Sequence, residues 1–227
     1  MRQAVTLYQS SIGKKFLMAV SGILLAGFVV VHMIGNLKMF EGPESMDGYA
    51  VFLKGLGSPI LPEYGALWIT RIVLLLAVGI HMVAAFQLWR RSRAARDVAY
   101  RKNDSQVFSY ASRTLRWGGV IILLFVIYHI LHFTTGNVHS DFAYGSVYQN
   151  VVIGFQNTPV ALFYLVAVGA LSLHLYHGLW SVFTTLGVQN PRVTRVRRPL
   201  AAGLSILLFV GYAAVPVGVM AGILTLR

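Results

Sequence analysis

Five stretches of this 227-residue chain are each apolar over the length a helix needs to cross a bilayer, and no other feature constrains its fold as strongly. About 20 helical residues rising ~1.5 Å each cover ~30 Å of hydrocarbon. The runs are 16–36, 66–89, 117–135, 159–186 and 200–226. In lipid a lone segment satisfies its backbone only as a helix, so the expected fold is an all-α integral membrane bundle of five transmembrane helices. A composition 56% hydrophobic and 11% charged agrees, and with no linker visible one domain covers 1–227. The first run follows Lys14 and Lys15 as a signal peptide core would, but it is long and lacks a small-x-small cleavage site, so it reads as retained.

Basic residues give the orientation, because cytoplasmic loops are enriched in Lys and Arg. The segment before the first run holds three (Arg2, Lys14, Lys15), the loop 90–116 eight and the loop 189–198 four, fifteen in all. The other side holds Lys38, Lys54 and Arg227. The N-terminus is therefore expected inside and the C-terminus outside. The formal charge of +12 lies in these short loops, which marks topology and lipid headgroups rather than nucleic acid.

The loop 136–158 has no Lys or Arg but carries Phe142, Tyr144, Tyr148 and Phe155, which suits a short interfacial segment. Pro159 and Pro199 stand where the fourth and fifth spans should begin, and Pro216 lies inside the fifth, where it should kink the helix. The chain has no cysteine. That excludes disulfides, thiolate-held iron-sulfur clusters and covalent c-type haem attachment.

Six of the seven histidines fall inside the predicted spans: His32, His81, His129, His132, His174 and His177. Polar side chains in lipid are costly and mark function unless neighbouring helices satisfy them. Depth follows from helical rise and alternating direction. His32 lies near the outer end of the first span and His81 toward the inside of the second. His129 and His132 lie in the outer half of the third, with His132 slightly closer to the depth of His32. His174 lies about as far into the fourth span as His81 lies into the second. The result is two layers of facing imidazoles, the requirement of two bis-histidine b haems. Gly22, Gly27, Gly35, Gly79, Gly119, Gly169 and Gly178 offer small surfaces where a haem edge fits, although small residues also serve ordinary packing. Ligands in two separated layers do not converge on one zinc or copper ion.

With histidines on the first four spans in this order, the chain resembles the di-haem cytochrome b anchor subunits of succinate dehydrogenases and fumarate reductases. The likeness extends over all five spans. Its local signatures are Val31-His32-Met33-Ile34-Gly35-Asn36, Phe125-Val126-Ile127-Tyr128-His129 and His174-Leu175-Tyr176-His177-Gly178-Leu179-Trp180-Ser181. The resemblance implies that His174, four residues before the Gly of Gly-Leu-Trp, is the fourth-span ligand. It likewise implies His129, at the end of the aromatic and aliphatic run, for the third. His32 and His129 would hold an outer haem b, and His81 and His174 an inner one. His132 and His177, one turn beyond a ligand, would bond a propionate or the quinone, or serve local packing.

The resemblance also implies a division of labour. A flavoprotein oxidises succinate, an iron-sulfur subunit relays electrons, and this chain anchors both in a bacterial-type cytoplasmic membrane and passes electrons to or from menaquinone. The iron-sulfur subunit would dock against the loops 90–116 and 192–198, and a higher oligomer is compatible with the sequence. Nothing here matches a flavin-binding motif or could ligate a cluster, so the chain is one subunit and not a complete enzyme. The quinone is expected beyond the outer haem, near Arg71, Glu63 and His132, with Arg71 equally suited to a propionate. Some relatives carry a proton-transferring Glu two residues before the fourth-span ligand; here Ser172 stands there, and a serine does not take up a proton at neutral pH. Two other readings stand beside this one: the cytochrome b anchor of a formate dehydrogenase or hydrogenase, and a proton-coupled transporter. The ligand order argues against the first, and the absence of repeated halves and broken helices against the second.

Overall fold

The computed structural model describes the backbone of residues 9–95, 110–188 and 190–226, and their side chains except those of 110–116. Arg2, Arg96, Arg101, Lys102 and Arg227 lie outside the described residues, as do the side chains of Arg113 and Arg116. The described secondary structure is helical: α1 Ser11–Leu37, α2 Pro43–Gly55, α3 Gly65–Ala94, α4 Tyr110–His129, α5 Val147–Gln156, α6 Thr158–Thr185 and α7 Pro191–Met220. A 3-10 turn, Lys38–Glu41, follows α1, and a π-helical turn, Ile130–Thr134, extends α4.

Five of these helices, α1, α3, α4 with its π turn, α6 and α7, are long and apolar enough to cross a membrane. Their outward surfaces stay apolar at mid-helix: Leu75 is 67% exposed, Val166 69% and Ile206 63%. A surface of that kind is stable against lipid chains and not against water. Helix starts follow capping chemistry. Ser10 accepts from the Gly13 amide at 2.9 Å, Asn157 precedes Pro159 and accepts from Val160, and Asn190 precedes Pro191 and accepts from Arg192 at 2.8 Å.

The fifth spanning helix departs from expectation. It starts at Pro191, not at 200, and ends at Met220, so Pro199 lies inside it and not at its first turn. Hydropathy placed the start too late because arginines at 192–198 leave the hydrocarbon but remain good helix formers. At the other end Gly222, with φ of +71°, closes α7 in a Schellman turn, its amide bonding Val219 O at 3.0 Å while Ile223 bonds Gly218 O at 2.9 Å. Leu224 then folds back and is buried.

α6 packs against α7, α4 and α1, and α1 also packs against α3 and α7. Neither α1 with α4 nor α3 with α6 is among the closely packed pairs. The two ends of the bundle differ. At the basic end α1 and α3 are tied by Arg91 to Ser11 and by Lys14 to Gln87, and Arg197 reaches Thr184. At the opposite, capped end α2 and α5 close over the spans. There Met39, Met46, Tyr148, Val152, Phe155, Tyr164 and Val219 form the larger of the two buried clusters. Asp47 accepts from the Tyr148 amide at 3.0 Å, tying α2 to the first turn of α5. The loop 136–158 is therefore not wholly interfacial: Tyr144 is exposed, but Tyr148 and Phe155 turn into the core.

Candidate functional site: two facing histidine pairs

The four helices α1, α3, α4 and α6 each turn one histidine toward another across the bundle. His32 faces His129 with ring centroids 5.9 Å apart, and His81 faces His174 at 6.2 Å. Each pair joins two helices that are not closely packed, α1 with α4 and α3 with α6. All four histidines are part-buried. Two imidazoles binding one metal ion from opposite sides, each nitrogen about 2 Å from it, bring their centroids to a separation on the order of 6 Å. Both observed separations have that size.

The basic-end pair has further features of a metal-ligand setting. His81 Nδ1 lies 3.1 Å from Met18 O. A backbone carbonyl only accepts, so this bond places the proton on Nδ1 and leaves Nε2 with a bare lone pair. Ser21 Oγ lies 3.3 Å from the same nitrogen while bonding Leu17 O at 2.7 Å. Glycines border the pair: a Cβ on Gly22 would stand 3.2 Å from His81 Cε1, and one on Gly119 would stand 4.0 Å from His174 Cε1. One turn on, His177 Nδ1 is buried with no hydrogen-bond partner, its ring edge-on to Trp180 at 5.1 Å. An unsatisfied buried imidazole nitrogen is costly unless something meets it.

At the capped end His32 stacks on Phe28 at 5.3 Å, and Tyr212, whose hydroxyl donates to Val29 O at 2.6 Å, approaches it from α7. His129 is held differently. Tyr164 Oη lies 3.4 Å from His129 Nδ1 and 3.0 Å from His132 Nδ1. His132 is 2% exposed and stacks on His139 at 4.9 Å. His139 in turn directs Nε2 to Asn150 O at 2.8 Å and accepts from the Asp141 amide at Nδ1. Asn150 clamps the loop by donating to Ala143 O at 2.8 Å and accepting from Ala143 N at 2.9 Å. Gly154 permits this closure, since a Cβ there would come within 2.9 Å of His132 Cε1.

The structure thus brings His32 to His129 and His81 to His174, and sets His132 in a closed aromatic cluster. No contact among Arg71, Glu63 and His132 is seen among the described residues. Arg71 is exposed with its guanidinium 5.0 Å from the Trp68 ring centroid, and Glu63 is exposed before α3. Ser172 sits part-buried in α6. A groove of about 470 Å³ opens between α1 and α3, walled by Leu17, Leu76, Gly79 and Ile80 and ended by Lys14 and Gln87; none of the histidines lines it. Among the described residues no three His, Cys, Asp or Glu side chains gather as a small-ion site, whereas a bis-imidazole site takes two. Tyr164, His139 and Asn150 were not singled out from sequence. Comparison with family models, with curated proteins and with solved structures gave no match.

Proposed function

We propose that this chain is the cytochrome b membrane-anchor subunit of a succinate:quinone oxidoreductase, carrying electrons between an iron-sulfur subunit and menaquinone through two b haems. The observation that carries this reading is the pair of imidazole pairs, 5.9 and 6.2 Å between centroids, each bridging helices that do not pack closely. His81 and His174 would hold the haem nearer the basic end, and His32 and His129 the one nearer the capped end. When bound, the haems supply reversible one-electron chemistry at iron. The chain's own residues supply axial nitrogens, exclude water with apolar walls, and offer the unsatisfied Nδ1 of His177 to a carboxylate such as a propionate.

The basic end faces the cytoplasm in this reading, as the distribution of arginines supports. Exposed Arg90, Arg91, Arg93, Arg192, Arg195 and Arg198 there offer an acidic partner a docking face. The quinone belongs at the capped end, where Arg71 over Trp68 is reachable from lipid; closed burial of His132 leaves Arg71 and Glu63 as its groups in contact with the bilayer.

The test is purification of the chain with whatever accompanies it. Two b haems per chain with low-spin bis-histidine spectra, together with a flavoprotein and an iron-sulfur protein, support the reading. A haem-free chain overturns it in favour of a transporter, and haem with a molybdenum or nickel partner moves it to the formate dehydrogenase or hydrogenase type.

A further inference from the structure

Tyr164 belongs to α6 and is 5% exposed, its ring edge-on to Phe125 and Phe155, both 5.0 Å away. A tyrosine buried among aromatics needs one partner for its hydroxyl. This hydroxyl meets two, His132 Nδ1 at 3.0 Å and His129 Nδ1 at 3.4 Å. It has one proton to give, so the two contacts are not alike.

Taken with the haem reading above, on which this inference rests, the direction of both bonds is fixed. His129 must present a bare Nε2 to a metal, so its proton sits on Nδ1 and is donated to Tyr164 Oη. The hydroxyl proton then goes to His132 Nδ1, the shorter contact, and His132 carries its own proton on Nε2. Donation to His132 leaves the Tyr164 oxygen a stronger acceptor, because successive hydrogen bonds polarise one another.

We propose that Tyr164 is the positioning residue of the capped-end haem ligand, with His132 as the anchor that orients its hydroxyl. The basic-end pair uses Met18 O for the same task on His81. An acceptor on the far ring nitrogen fixes tautomer and orientation and raises ligand basicity. A more basic ligand favours ferric over ferrous iron, so the hydrogen bond holds the potential of this haem down.

The experiment is Tyr164→Phe in the intact complex, reading haem content, the midpoint potential of each haem and the low-temperature EPR signals, with His32→Ala identifying the capped-end component. The expected result is retention of both haems, a rise in the capped-end potential with a shifted EPR signal, and an unchanged basic-end haem. Equal shifts of both haems, or none, overturn the role of Tyr164 while leaving the haem reading intact; absence of haem from the wild-type complex removes the reading itself. Should the variant lose the capped-end haem, His132→Leu decides, since it leaves the hydroxyl in place. A smaller rise confined to that haem supports the chain of bonds, and no change overturns it.

Discussion

The two histidine pairs have nearly the same ring separation but opposite surroundings. At the capped end, helices α2 and α5, the loop clamped by Asn150 and the stacked His132 and His139 close over His129. At the basic end, α1 contributes only small and local groups, Gly22, Ser21 and the Met18 carbonyl, and α3 packs closely with α1 but not with α6. The difference separates two ways of fixing an imidazole in a membrane bundle. One surrounds it with buried side chains whose loss should register in stability. The other borrows the backbone of a neighbouring helix, which no substitution removes directly.

Under the proposed haem reading, the largest effect expected is loss of a whole haem. His81→Ala should abolish the basic-end low-spin component and His129→Ala the capped-end one, each leaving the other component in the absorption and EPR spectra. His132→Ala should retain both. Loss of the capped-end haem in His132→Ala with retention in His129→Ala would reverse the assignment of ligand and anchor.

Next in size is Asn150→Ala. It removes both bonds to Ala143 from a residue 4% exposed. Ala143 O keeps the Ser146 amide at 3.2 Å, so only the Ala143 N–H loses its partner, at about 1–3 kcal/mol. Thermal unfolding in detergent should fall by several degrees with haem ligation at the basic end unaffected, since roughly 2–4 °C accompanies each kcal/mol in a chain of this size. An unchanged melting point would mean the cap is not a stabilising element.

Two glycine substitutions sharpen the contrast at lower magnitude. At Gly154 an added Cβ would meet His132 Cε1 at 2.9 Å and Phe133 Cε1 at 3.0 Å, and His132 is buried with its Nδ1 held by Tyr164. Gly154→Ala should therefore cost about 1–3 kcal/mol by overpacking, read as a lower melting temperature. At Gly22 the added Cβ meets only the His81 ring, Cε1 at 3.2 Å and Nδ1 at 3.5 Å, and that residue is part-buried rather than enclosed. Gly22→Ala should leave stability near wild type and shift the basic-end haem signal. If both variants act through stability alone, the two ends are not as different as drawn.

The sequence showed the spans because lipid demands long apolar helices, and showed the depth of each histidine because helical rise and alternating direction are regular. Those two regularities set His81 level with His174 and His32 level with the pair His129 and His132, leaning toward His132. The choice of His129 came from the resemblance, and in the structure it is His129 whose ring faces His32. The capped end was not legible in the same way. α2 mixes Glu44, Asp47 and Lys54 with Met46 and Phe52 over 13 residues, so no hydropathy window marks it. Tyr164 reads as one more aromatic in an apolar run, and nothing local reveals that its hydroxyl meets two histidines from another helix. His139 lies outside the spans, and its role depends on Asn150 folding back eleven residues later. Side chains that act through long-range contacts carry no periodic mark.

The smallest effect expected is at Ser21, a replaceable side-chain support of His81. The Ser21 hydroxyl proton is committed to Leu17 O at 2.7 Å, so toward His81 Nδ1 at 3.3 Å the oxygen can only accept. It shares that N–H with Met18 O, which is closer at 3.1 Å and remains after substitution. Ser21→Ala thus removes the weaker branch of a shared bond. It should cost at most about 0.5–1.5 kcal/mol, the net value of a single hydrogen bond. Haem content should be unchanged and the basic-end potential should rise by less than the capped-end potential rises in Tyr164→Phe, because the Met18 carbonyl still fixes the tautomer. The measurement is a redox titration of both variants side by side. A larger shift from Ser21→Ala than from Tyr164→Phe would show that the serine, and not the backbone, holds His81, and that both ends rely on side chains after all.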